Sequence, residues 1–210
     1  MDKRFRNHDV VKYVRKYCKL NKWKMLISNK RHGNYLDPNA NTIHIEDISD
    51  KSLSYKLFIL AHEYGHLFQL IVDQDALNTN KLNDVLYNKL MNGEYVIPRK
   101  KKQVIRALLT EEHRATTIGL QLLRSMDSYP TKPTMRFIMR QANMNLIKYY
   151  IHLNYSYDTS SMKEFKNDIP DDSFIIPYSD KFNALVNRIK LCIDTTTKHP
   201  KLYREYNTRG

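Results

Sequence analysis

The chain has 210 residues, with 35 Lys and Arg against 22 Asp and Glu, for a formal net charge of +13. That length holds one sizeable domain, or a domain with an appendage, and a 41% apolar fraction that includes 15 Tyr and 7 Phe excludes a disordered polyelectrolyte. Only 5 Gly, 7 Pro and 2 Cys exclude collagen-like, linker-like and disulfide-framework chains, and the cysteine usage points to a reducing compartment.

In chain order, Val10, Val11, Val14, Tyr17 and Cys18 share one face of an amphipathic helix over 8–20, with Asn7 placed to cap it. Trp23 to Ser28, Gly33-Asn34-Tyr35 and Thr42 to Glu46 read as extended pieces, with turn chemistry at Asp37-Pro38-Asn39-Ala40-Asn41. Thr42 to Glu46 alternates as a half-buried strand and is expected to offer a sheet edge to an extended peptide. His44 on it reads as a surface residue. Helices are then expected over Ser52 to Ile71, Thr79 to Met91, Pro98 to about Met126, and Thr134 to about Leu153. Residues 154–178 read as irregular, and Ser179 caps a last helix carrying Phe182, Leu185, Val186, Ile189 and Ile193 on one face. The class is α+β, mostly helical, with a small N-terminal β-sheet. The expected division is a core over 1–126 and a helical extension packed on it over 127–210.

The informative segment is Ala61-His62-Glu63-Tyr64-Gly65-His66-Leu67. It spells H-E-x-x-H on an expected helix, where positions i and i+4 share a face, so both imidazoles reach one Zn2+ ion. Glu63 stands beside them as a base for a zinc-activated water. With 8 His and 7 Glu in the chain, chance supplies about 0.01 such matches. The flanking Leu57, Phe58, Leu60, Leu67 and Leu70 bury this helix, where two His and a Glu need a partner.

A catalytic zinc needs a third protein ligand. The elongated motif would place it at position 72, which is Val72. On the later helix the apolar positions 105, 108/109, 115/116, 119 and 122/123 put Glu112 in the centre of the apolar face, above small Ala115 and Gly119. Glu111 and His113 fall to either side and stand as alternatives. Tyr149, Tyr150 and His152 are candidates for donors to an oxyanion. Gly65 is read as admitting another element closely, and Cys18 and Cys192 as buried and inert.

From Gly33-Asn34-Tyr35 through Thr42-Ile43-His44-Ile45 to Ile59-Leu60-Ala61-His62-Glu63-Tyr64-Gly65-His66, and on to Glu112, Ala115, Ile118, Gly119, Leu122 and Leu123, the chain resembles the ImmA/IrrE family of zinc metallopeptidases and related peptidases of phages and mobile elements. The resemblance covers roughly 9–126. It departs from the family pattern at Arg114, at Thr116-Thr117 and in the long stretch between His66 and Glu112. The resemblance implies a zincin fold, Zn2+ held by His62, His66 and Glu112, Glu63 as catalytic base, and a protein or peptide substrate hydrolysed in the cytoplasm, the host's if the chain is phage- or virus-encoded. Two other readings stand beside it. One is a basic nucleic-acid-associated protein on the same fold. The other is a catalytically degenerate interaction module. No membrane span is expected.

The net charge invites a nucleic-acid partner. A bias toward Lys and Asn on a solvated surface is the favoured account of it. The excess lies outside the motif helix, in the first helix, in Arg99-Lys100-Lys101-Lys102 and in later helices.

Overall fold

The computed structural model describes residues 3–29, 33–47, 50–72, 85–86, 88–89, 94, 96–126, 130–155 and 168–196. The chain is mostly helical, with one three-stranded sheet near its N-terminus. The helix expected over Thr79 to Met91 lies mainly outside the described residues; positions 85, 86, 88 and 89 are helical.

A single turn, α1 (Lys3–Arg6), precedes α2 (Asp9–Leu20). The cap of α2 is His8, not Asn7. The backbone N–H of Asn7 closes α1 on the Lys3 carbonyl, which shifts the start of α2 by one residue. His8 Nδ1 accepts the Val10 N–H at 3.3 Å. Burial lowers the His8 pKa, which keeps that nitrogen unprotonated and able to accept. Val10, Val11, Val14 and Cys18 are buried as the periodicity requires. Burial pushes the Cys18 thiol up to about 11, so it is protonated and unreactive at neutral pH. The side chain of Cys192 lies outside the described residues.

The strands are β1 (Lys24–Ser28), β2 (Tyr35–Asp37) and β3 (Thr42–Glu46), in the order β1-β3-β2. Asp37 Oδ1 accepts from the N–H groups of Asn39 and Ala40 and forms the tight turn into β3. β3 runs parallel to β1 and antiparallel to β2. It is therefore the central strand and has no free edge, contrary to the sequence expectation. Its alternation marked burial on one face, which an edge strand and a central strand share. His44 lies half-buried on the outer face, stacked on Tyr35 with centroids 4.4 Å apart.

Helix α3 (Leu53–Val72) starts at Ser52, whose hydroxyl accepts the Tyr55 N–H. Lys56, the sole basic residue of α3, is not peripheral. Its ammonium is buried 2.8 Å from Asp47 Oδ1, and Arg6 Nε reaches Asp47 Oδ2 at 3.2 Å. This network ties α1 and the end of β3 to the start of α3.

Helices α4 (Pro98–Ser125), α5 (Lys132–Tyr155) and α6 (Asp180–Thr196) follow. Helix α5 begins before Thr134 because Pro133 falls in its first turn, where a missing N–H costs nothing. Ser179 caps α6 through the Phe182 N–H. One apolar cluster joins α1, α2, β3, α3, the C-terminal half of α4 and the N-terminal half of α5. A second joins Ile105 and Leu109 of α4 to the rest of α5 and to α6.

Helix α4 lies directly on α3. A Cβ added to Gly65 would stand 2.6 Å from the Ala115 carbonyl carbon, and one added to Gly119 would stand 2.6 Å from the Ala61 carbonyl carbon. Two glycines, one on each helix, bring the backbones together and fix which residues of α4 face the motif.

Candidate metal centre

His62 and His66 project from the same side of α3, as i,i+4 residues must. Glu112 projects from α4 to meet them. Its Oε2 lies 3.2 Å from His62 Nε2 and its Oε1 lies 3.6 Å from His66 Nε2. The two imidazole nitrogens are 3.2 Å apart, with their rings nearly perpendicular at 85°. One donor atom from each residue lies within 4.8 Å of the others.

These distances test whether a metal fits. Zinc bonds of about 2.0–2.2 Å in tetrahedral array put neighbouring ligand atoms roughly 3.3 Å apart. The observed 3.2, 3.2 and 3.6 Å straddle that value. Two imidazoles and a carboxylate are also a donor set suited to a divalent transition metal such as zinc. The three side chains are 12–19% exposed, so one side of the cluster is open to an incoming group.

Glu111 and His113 are not brought into the cluster. Glu111 is half-buried and acts on His66 only through its charge. His113 lies flat on Phe174, with ring centroids 4.5 Å apart and planes 5° apart. Arg114 is exposed. Tyr150 sits in an aromatic group with Tyr155, Tyr178 and Phe182, and His152 is exposed. Among the described residues, no hydrogen bond ties Tyr150 or His152 to the cluster.

One residue escaped the sequence reading. Buried Thr116 places its Oγ1 2.9 Å from His62 Nδ1. A neutral His62 that donates its Nδ1 proton to Thr116 keeps an Nε2 lone pair for a metal, the tautomer that a metal ligand requires. The available signal was its position one helical turn after Glu112. Its identity stood out only as a departure from a family pattern.

Glu63 is buried beside the cluster. Burial raises its pKa; the charge of Glu112 adds to the rise, and those of His62 and His66 oppose it. Burial by itself lowers His66, but the adjacent Glu112 carboxylate and the charges of Glu63 and Glu111 outweigh it and lift His66 to about 9. Burial raises Glu112, yet the two histidines beside it hold it well below the usual carboxylate range. The metal-free cluster is thus held together by a proton on His66.

A pH dependence follows from the sign of these shifts. A histidine raised on folding stabilises the fold below its unfolded value of about 6.5, and that stability is lost as pH rises through about 9. A depressed Glu112 stabilises above the ordinary carboxylate range and loses its contribution as pH falls through its folded value. The metal-free protein should therefore lose on the order of 3 kcal/mol between pH 6.5 and 9. Zinc should abolish that loss, because protons compete with the metal for His66. Melting curves with and without chelator at the two pH values check this. Equal pH slopes in both would refute it.

Zinc titrations test the ligand set. Glu112→Ala should lose zinc at stoichiometric loading and Glu111→Ala should retain it. Thr116→Val, which removes only the partner of His62, should weaken zinc about 10–100-fold. Unchanged zinc in Glu112→Ala would exclude it as a ligand.

Comparison of the chain with protein-family models, with curated proteins and with solved structures gives no match.

Proposed function

We propose that this chain is a zinc-dependent metallopeptidase of the zincin type, similar to the ImmA/IrrE family, that hydrolyses peptide bonds of a protein substrate. The observation that carries the reading is the convergence of His62, His66 and Glu112, from two helices, beside the buried carboxyl of Glu63.

His62, His66 and Glu112 would hold the zinc, which when bound would supply a Lewis acid and make water acidic near neutral pH. Glu63 takes the proton of the attacking water and returns it to the leaving amine, so the same carboxyl serves as base and then as acid. Its burial raises its pKa and makes it a better base than an exposed glutamate. Thr116 fixes the ring of His62, and Glu112 balances the charge of the site. An extended peptide that adds to the sheet must do so along β1 or β2, since β3 is already paired on both sides.

The reading is tested on a cell lysate treated with the zinc-loaded protein, by identifying new protein N-termini. We expect a small set of new termini that chelator abolishes and added zinc restores. No zinc-dependent termini would overturn the reading. Among the described residues, no helix is long and apolar enough to cross a membrane.

A further inference from the structure

Outside the metal cluster, the start of α5 and the segment after residue 168 wall a cavity of about 420 Å³. Its lining is Lys132, Pro133, Arg136, Phe137, Arg140 and Asp171. The three cations are spaced by four residues and form one column on α5. Like charges at this spacing repel. The first turn of α5 also has no acidic residue, and the helix dipole adds positive potential there. Locally, the arrangement is electrostatically unfavourable.

Among the described residues, Asp171 is the single carboxylate in the wall, and it pairs with Arg140 at 2.6 Å. It neutralises one charge of three and leaves two, which suits one phosphate monoester dianion or two singly charged backbone phosphates. The Nε of Arg140 is closed off from solvent and has no hydrogen-bond partner among the described residues. Pro133 and Phe137 give the same cavity an apolar wall. Its volume falls in the range of small-ligand pockets and exceeds what a lone ion fills.

We infer that this cavity binds a phosphate group carried on an apolar or planar moiety. Arg136 offers a planar fork of donors that matches phosphate oxygens, Lys132 adds a point charge, and Phe137 packs against the attached group. The phosphate is either that of a free phosphate ester or one in a nucleic-acid backbone. The site uses none of the residues of the metal cluster and stands independently of the peptidase reading.

The test uses the full chain at low salt, with pyrophosphate, duplex DNA and, as a carboxylate dianion, succinate. Pyrophosphate should bind saturably in calorimetry, and succinate should not. Lys132→Ala/Arg136→Ala should weaken pyrophosphate by about tenfold or more with unchanged melting, since both side chains are exposed. Lys100→Ala/Lys102→Ala removes the same charge from α4 and should leave binding unaltered. Displacement of pyrophosphate by DNA assigns the phosphate to nucleic acid. Pyrophosphate binding that DNA does not disturb assigns it to a free ester. Absence of pyrophosphate binding, equal binding to the Lys132/Arg136 variant, or equal binding of succinate would overturn the inference.

Discussion

Replacing Glu63 with Gln is expected to leave zinc bound at wild-type stoichiometry and to slow cleavage by about a hundred- to ten-thousandfold, the usual contribution of a positioned general base. Gln matches Glu in size, so the buried position next to His62 is refilled without a cavity. The three proposed ligands, His62, His66 and Glu112, are untouched. The negative charge of Glu63 is one of those that keep His66 protonated in the metal-free protein. Its removal weakens the hold of the site on a proton and on a dication together, so zinc loading should change little. Binding and chemistry thus move apart in this variant, which separates a base from a ligand. The measurement pairs zinc content with the rate at which zinc-dependent new N-termini appear. Full retained cleavage would remove Glu63 from the mechanism, and lost zinc would make it part of the ligand shell.

Gly65→Ala should have the largest effect on stability. In an ordinary helix interior this change stabilises by about 1 kcal/mol, because Ala is the better helix former. Here the added methyl enters the backbone of α4 at Ala115. Crowding against side chains costs about 1–3 kcal/mol, and a helix backbone yields less than a side chain does. We expect a loss above about 3 kcal/mol, a drop in melting temperature of roughly 6–12 °C or more for a chain of this size, and weakened zinc binding as α4 shifts Glu112 away. Gly119→Ala should behave alike, since its methyl meets the Ala61 carbonyl on the opposite helix. Gln121→Ala, on the exposed side of α4, is the control and should change neither property. A Gly65→Ala protein with wild-type melting and zinc content would refute the close-approach account.

Several sequence expectations needed correction, each through a neighbour that local pattern does not register. Asn7 has good capping chemistry, but α1 uses it, and His8 caps α2 instead. Alternation over Thr42 to Glu46 reported one buried face and said nothing about the two edges, both of which are paired. The helix expected from Thr134 starts at Lys132, with Pro133 in its first turn. Lys56, on which the sequence carries no burial signal, becomes a buried anchor through Asp47 and Arg6.

What the sequence determined by itself is whatever rests on spacing within one element. The i,i+4 placement of His62 and His66 follows from the pitch of a helix, and the buried faces of α2 and α6 follow from the same period. What only the tertiary structure decided is whatever rests on the placement of one element against another. Glu111, Glu112 and His113 are consecutive, and sequence periodicity put Glu112 centrally while leaving its neighbours open. The choice among them depends on the rotation of α4 about its own axis. The Gly65–Ala115 and Gly119–Ala61 contacts set that rotation. The same rotation carries Thr116 to His62 and turns His113 onto Phe174. Consecutive helix residues point about 100° apart, so a rotation of that size would present a different side chain to the two histidines.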